Sequence, residues 1–230
     1  MVEPRLIAIR NGLLLALAFA AGYIDALSYL GLNRVFTANM TGNTVLLGIA
    51  LAELDGDAIR RSSLALAGFL AGAAAGAWIV QRDHSVSLWP RAVTHALTLE
   101  SLLLLVFAAG WYFVYDTLAT ATTTAALIVL SALAMGVQSA AVIRLEITGI
   151  ATTYLTGTLT NLVSLLMGRT RRKRKPYHHS ALLATVWVVY IGGVVVAAVD
   201  LPRNLVLTLV LPAALIMLVA TIAAIVFRPQ

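Results

Sequence analysis

Cysteine is absent from the 230 residues of this chain, and charged residues are scarce. Without cysteine the chain can form no disulfide, no thiol nucleophile and no thiolate metal site. Charged residues make up 11% of the chain and aromatic residues 7%, which is too little to cover the water-facing surface of a soluble domain of this size. The composition therefore excludes an ordinary soluble protein.

Recognisable catalytic motifs are absent as well. The sequence contains no phosphate-binding loop, dinucleotide fingerprint, nucleophile elbow or zincin helix. The histidines do not have the spacing of metal ligands; they are His84, His95, His178 and His179. We therefore expect no enzyme, no metal site and no cofactor.

Apolar sequence is what the chain has in abundance, at 60% hydrophobic residues and a mean hydropathy of +0.92. A helix needs about 20 apolar residues to cross roughly 30 Å of hydrocarbon, and the chain contains six such runs. Two further segments, residues 36–53 and 147–168, begin with a polar stretch and either span the bilayer or enter it and turn back. The sequence predicts an all-α, polytopic membrane protein whose main partner is the lipid bilayer.

The two polar-headed segments resemble each other. Three residues of the first recur in the second at a constant offset of 115 positions: Thr37, Thr41 and Gly42 correspond to Thr152, Thr156 and Gly157. At an offset of 114, Met135-Gly136 corresponds to Ala21-Gly22, and Ser139 takes the place of Asp25. At an offset of 121, residues 190–193 correspond to residues 69–72. We interpret the chain as two related halves of four helical segments each, residues 1–118 and 119–230.

The number of crossings decides how those halves are related. If the polar-headed segments both cross, the chain has eight spans and parallel repeats. If both are re-entrant, it has six spans and inverted repeats, as in several transporter folds. Loop charge places both termini in the cytoplasm in either case and leaves the number open.

A strongly basic run occupies residues 169–175, which hold six of the 16 lysine and arginine residues. Such a run next to membrane spans is typical of a cytoplasmic loop that sets topology. We therefore expect no nucleic-acid partner, although the run could also bind an acidic lipid or a protein.

Asp25 stands inside the first apolar run, where an ionisable group is costly. One interpretation is a carboxylate that couples transport to protons or coordinates a cation. The other is a structural carboxylate that pairs with an arginine, such as Arg144, or caps the next helix. We expect the fourth segment to begin at residue 96, so Glu100 lies in its predicted first turns. There the positive end of the helix dipole would stabilise a carboxylate.

The polar stretch itself predicts a solute site. If Gly42 breaks the chain ahead of an apolar helix, backbone N–H groups and threonine hydroxyls would converge on one point, as in the half-helices of transporters. The alternative is that these side chains hydrogen-bond neighbouring helices and only hold the bundle together. The predicted substrate-binding residues are Asp25, Asn39, Thr41, Gly42, Asn43, Gln138, Ser139, Thr156, Gly157 and Thr158.

Glycines recur at a spacing of four in the third segment, at Gly68, Gly72 and Gly76. Small residues on one helix face let another backbone approach closely, so these positions predict a helix-packing surface.

Residues 21–30 and 36–44, with 135–140 and 156–160 in the second half, resemble the YoaK-like family of small bacterial inner-membrane proteins. Ser139 departs from that pattern, where an asparagine is expected. The resemblance implies a multi-span protein of the bacterial inner membrane and leaves its function undefined. From the residues we predict a transporter or channel for a small polar solute or ion. The alternative is a non-transporting scaffold or regulator that acts through the basic loop, and a homo-oligomer stays open.

Overall fold

The computed structural model describes residues 4–85, 87–115, 120–145 and 177–228, together with residues 160, 163 and 167. Three of the predicted site residues, Thr156, Gly157 and Thr158, and the basic run at 169–175 lie outside the described residues. The described part contains seven long or medium helices and no strand. They are α1 (Pro4–Gly31), α2 (Met40–Glu53), α3 (Gly56–Gln81), α4 (Arg91–Tyr115), α5 (Ala121–Arg144), α6 (Tyr177–Asp200) and α7 (Leu205–Val226).

Six of these helices are long and apolar enough to cross a membrane, and α2 is the exception. At 14 residues α2 is about 21 Å long, which is shorter than the roughly 30 Å of a hydrocarbon core. The prediction of an all-helical, polytopic membrane protein is therefore confirmed.

Helices α1 and α5, which begin the two predicted halves, run in opposite directions. Gln138 on α5 donates a hydrogen bond to the carbonyl of Leu17 on α1, 3.3 Å away. Closer to the end of α1, Ser28 is joined through the hydroxyl of Thr37 to Ser131, which is nearer the start of α5 than Gln138 is. In the six-span arrangement three spans, α1, α3 and α4, precede α5, so α1 and α5 must be antiparallel. In the eight-span arrangement α2 would be a fourth span before α5, and α1 and α5 would be parallel.

The largest contacts between helices join one half of the chain to the other, since α3 packs on α5 and α1 packs on α6. On α3, a Cβ added at Gly68 would lie 2.9 Å from the carbonyl oxygen of Val129, and one added at Gly72 would overlap the carbonyl of Leu133. Gly76 is equally close to α5, at Val137 and Ala140. The three glycines thus allow the backbones of α3 and α5 to touch.

The α1–α6 pair is built in the same way. A Cβ at Gly22 would overlap the carbonyl of Tyr190, and a Cβ at Gly193 would overlap the carbonyl of Phe19. Each of these contacts has a counterpart between α3 and α5 at the sequence offsets given above: Gly136 lies against Phe69, and Gly72 against Leu133.

Candidate functional site

The polar stretch after α1 turns the chain back into the bundle. Asn33 and Arg34 both have left-handed backbone angles, with φ of 62° and 63°, and the N–H of Arg34 bonds to the carbonyl of Tyr29. The chain then runs back along α1 until Thr37 lies beside Asp25. Because Asp25 is six residues from the end of α1, this point lies about 9 Å along the helix from its end.

The returning segment and α2 together form a re-entrant hairpin, residues 33–53. Its two ends lie on one side of the bundle, since Asn33 and the first turns of α3, at Asp57 and Arg61, line a common cavity of about 230 Å³ with Thr124 of α5. Of the two alternatives for residues 36–53, spanning or re-entrant, the structure therefore matches the re-entrant one.

Asp25 holds the inner end of this hairpin. One carboxylate oxygen accepts hydrogen bonds from the backbone N–H groups of Thr37, Ala38 and Asn39, at 3.0, 2.7 and 3.2 Å. The other oxygen accepts one from the hydroxyl of Tyr190 on α6, at 2.6 Å. The side chain is 2% exposed. Of the two interpretations of Asp25, the geometry matches a carboxylate that caps the next helix at its positive end.

Asn39 completes the cap of α2, because its side-chain oxygen accepts a hydrogen bond from the N–H of Gly42 at 3.2 Å. Four backbone N–H groups at the inner end of the hairpin are therefore bonded within the protein, those of Thr37, Ala38 and Asn39 to Asp25 and that of Gly42 to Asn39.

Asn43 and Gly42 close the hairpin. The amide of Asn43 forms a pair of hydrogen bonds with the backbone of Phe36, accepting from its N–H at 3.0 Å and donating to its carbonyl at 2.5 Å. A Cβ at Gly42 would lie 2.9 Å from the ring of Phe36, which stacks on Tyr29. These contacts explain why the stretch contains glycine and asparagine at these two positions.

The remaining predicted site residues lie apart from this cluster. Gln138 is buried against Leu17, eight residues before Asp25 on α1, and Ser139 beside it is partly exposed. Thr41 and Thr44 are exposed on α2, where the hydroxyl of Thr44 bonds to the carbonyl of Met40 at 2.9 Å. The structure thus brings Asp25, Asn39, Gly42 and Asn43 together, leaves Thr41 exposed on α2 and places Gln138 and Ser139 further along the bundle.

Sequence reasoning missed the position of Glu100. Because α4 begins at Arg91 and not at residue 96, Glu100 is the tenth residue of its helix and lies about 13 Å from the helix start. The side chain is fully buried, and no hydrogen-bond donor in the described part of the chain reaches either carboxylate oxygen. Polar residues at the start of α4, such as Thr94 and His95, concealed this depth, because they put the predicted start of the helix at residue 96.

Arg144 lies at the opposite end of the bundle from the hairpin. Its guanidinium donates hydrogen bonds to the carbonyls of Asp83 and Ser85 in the α3–α4 connector, at 2.9 and 3.1 Å. Hydrogen bonds from the hydroxyl and backbone N–H of Ser85, helped by the N–H of Ala92, lower the pKa of Asp83 to about 2. The two hydrogen bonds to Asp83 and Ser85 hold Arg144 against this connector, far from Asp25.

Within the residues that the structure describes, no three histidine, aspartate or glutamate side chains are grouped closely enough to hold a metal ion.

Comparison with known proteins gives two matches. The model of a family described as "Protein of unknown function (DUF1275)" matches residues 13–222. The UPF0700 transmembrane protein YoaK of Bacillus subtilis (strain 168) is 38% identical over 199 residues, which cover 85% of each chain. No solved structure matches this chain.

Proposed function

Given that this chain belongs to the DUF1275 family, we propose that it is a membrane transporter or channel for a small, uncharged polar or cationic solute. The observation that carries the proposal is the re-entrant hairpin. Irregular backbone at membrane depth is stable only where it is buried in protein or lines a water-filled cavity, and in transporters such broken segments surround the solute site.

The arrangement of the two halves supports the same proposal. Corresponding helices α1 and α5 run in opposite directions, and four of the close glycine contacts between helices form two matching pairs. We infer that residues 1–118 and 119–230 are inverted repeats. Repeats of this kind give a protein two similar conformations, each open to one side of the membrane.

The preference for an uncharged or cationic solute follows from Asp25. Its carboxylate already occupies the positive end of α2, where an anionic solute would otherwise bind. Thr41, on the exposed surface of the inner turn of α2, remains the polar group of the hairpin best placed to meet a solute.

We also propose that the protein lies in the bacterial inner (plasma) membrane with both termini in the cytoplasm. The concentration of positive charge in residues 169–175 supports this orientation.

Flux into liposomes tests the proposal. Purified protein would be reconstituted and challenged with polyols, small sugars, amino acids, Na⁺ and K⁺, and flux compared with empty liposomes. We expect at least one of these solutes to enter faster, and Thr41→Val to reduce that entry at least tenfold. Thr44→Val is the matched control, because Thr44 is also exposed on α2 but its hydroxyl is bonded to its own helix.

Two outcomes would contradict the proposal. If folded protein passes none of these solutes, the alternative of a scaffold acting through its basic loop becomes the better explanation. If a solute passes and both threonine variants carry it at the wild-type rate, transport occurs but the hairpin does not bind the solute.

A further inference from the structure

Glu100 is a buried carboxylate that neither the hairpin nor its supporting contacts use. It lies on the buried face of α4, because the side chains one or two turns away on the same face are fully buried; these are Ala96, Leu97, Leu104 and Phe107. The neighbouring residue Ser101 donates a hydrogen bond to the carbonyl of Ala213, so this part of α4 lies directly against α7.

No opposite charge faces Glu100 from the described helices that pack on α4, which are α3, α5 and α7. The charged side chains of α3 are in its first two turns, up to Arg61, and the single charge of α5 is Arg144 at its last residue. Between residues 205 and 226, α7 has no titratable side chain. On α4 itself, Arg91 and His95 are exposed near the start of the helix and Tyr112 is exposed near its end.

An ionised carboxylate in this position would lack both a counter-charge and a hydrogen bond, and such an ion is too costly to bury. A neutral carboxylic acid costs much less. In membrane proteins a carboxyl group of this kind is typical of a site that takes up and releases a proton.

We propose that Glu100 is a proton-binding site within the membrane, which holds a proton in the conformation described here and exchanges it with water. This inference goes beyond the proposed transport and does not depend on it.

The structure also indicates a side from which water could approach. A cavity of about 290 Å³ lies between the first turn of α4 and the last turn of α7 and is lined in part by Arg91, Thr94 and Phe227. Thr94 is six residues before Glu100, which is about 9 Å along the helix. The proton would reach Glu100 along the boundary of α4 and α7, from the end of the bundle opposite the hairpin.

Infrared spectroscopy of the protein in lipid nanodiscs tests the proposal, because a protonated carboxyl group has a carbonyl band separate from that of an ionised one. We expect the wild-type protein to show such a band and Glu100→Gln to lose it completely. The band should shift in heavy water, since an exchangeable proton is replaced by deuterium, and it should weaken as the pH is raised. Asp25, which accepts four hydrogen bonds, is expected to contribute no such band.

Isotope labelling provides a second measurement if Glu100→Gln does not fold. The chain has four glutamates, and Glu100 is the buried one in the described part. Wild-type protein labelled with ¹³C-carboxyl glutamate should therefore show the band of the protonated carboxyl group at a shifted frequency. Absence of a glutamate band at every pH would overturn the proposal. A band that neither shifts in heavy water nor responds to pH would also overturn it, since Glu100 would then be a permanently neutral structural group.

Discussion

Asp25 and Glu100 are both carboxylates enclosed by the helix bundle, yet their surroundings are opposite. Asp25 accepts four hydrogen bonds, three from the hairpin backbone and one from Tyr190. Glu100 accepts none from the described part of the chain. A carboxylate whose two oxygens both accept hydrogen bonds has a structural role, because a change in its charge would disrupt the contacts that it holds. A carboxylate without partners can change its charge without breaking a hydrogen bond, so it is the better candidate for chemistry.

Sequence position alone does not distinguish Asp25 from Glu100. Either residue could be selected as functional because an ionisable group in a membrane span is rare. Only the hydrogen-bond partners separate the group that holds the hairpin from the group that could carry a proton.

Asp25→Asn should give the largest effect. The variant removes the negative charge, and its amide N–H₂ cannot accept a hydrogen bond, so at least one buried donor among the backbone N–H groups and Tyr190 loses its partner. Because hydrogen bonds to charged groups contribute about 1.5–3 kcal/mol each, we expect a loss of about 3 kcal/mol or more in the free energy of unfolding. Denaturant unfolding in detergent micelles measures it. If Asp25→Asn is as stable as the wild-type protein, the carboxylate does not hold the hairpin and the contrast with Glu100 fails.

Tyr190→Phe should have an intermediate effect. The ring stays in place, and Asp25 loses one of its four donors while the three backbone hydrogen bonds remain. We expect a loss of about 1.5–2 kcal/mol in the same unfolding measurement. Tyr112→Phe serves as the control, because Tyr112 is 54% exposed and its substitution should leave stability unchanged. Equal stability of the two variants would show that α6 does not contribute to holding the hairpin.

Asp83 extends the comparison to a carboxylate outside the spans, and its effect should be the smallest. With a pKa lowered to about 2, Asp83 stabilises the folded protein above its ordinary pKa of 3.8, and this contribution is lost as the pH falls from about 4 to 2. Asp83 is partly exposed, and screening by solvent makes the contribution weak. We expect Asp83→Asn to lower the melting temperature slightly at pH 6 and to match the wild-type protein near pH 2. A difference that persists at pH 2 would mean that the substitution disturbs the connector by a route other than charge.

Much of the fold follows from the sequence, because long apolar runs have few alternatives to membrane helices. The six spans and the family resemblance are confirmed, and the polar stretch after α1 was recognised as a separate element. The re-entrant path of this stretch depends on the left-handed backbone at Asn33 and Arg34 and on the hydrogen bond from Thr37 to Asp25. Neither feature can be predicted from hydropathy.

The partners of the buried groups were less predictable. Capping of the next helix by Asp25 was one of two open interpretations, but Tyr190, 165 positions away, could not be assigned from sequence. The depth of Glu100 depends on where α4 begins, and polar residues at its start, such as Thr94 and His95, made the predicted boundary five residues too late. The two halves and the substrate-binding role of the predicted residues stay predictions.

The contact between Gly22 and Tyr190 has a consequence for how the protein is made. Helix α1 leaves the ribosome well before its partner, because it packs on a helix that is synthesised 168 residues later. At about 5–20 residues per second, α1 waits roughly 10–30 s in the membrane before that partner exists. During this time Asp25 can already cap α2, because the hairpin is only some 12 residues away in the chain. The local cap would thus shield the charge of a newly inserted helix until the second half of the protein arrives.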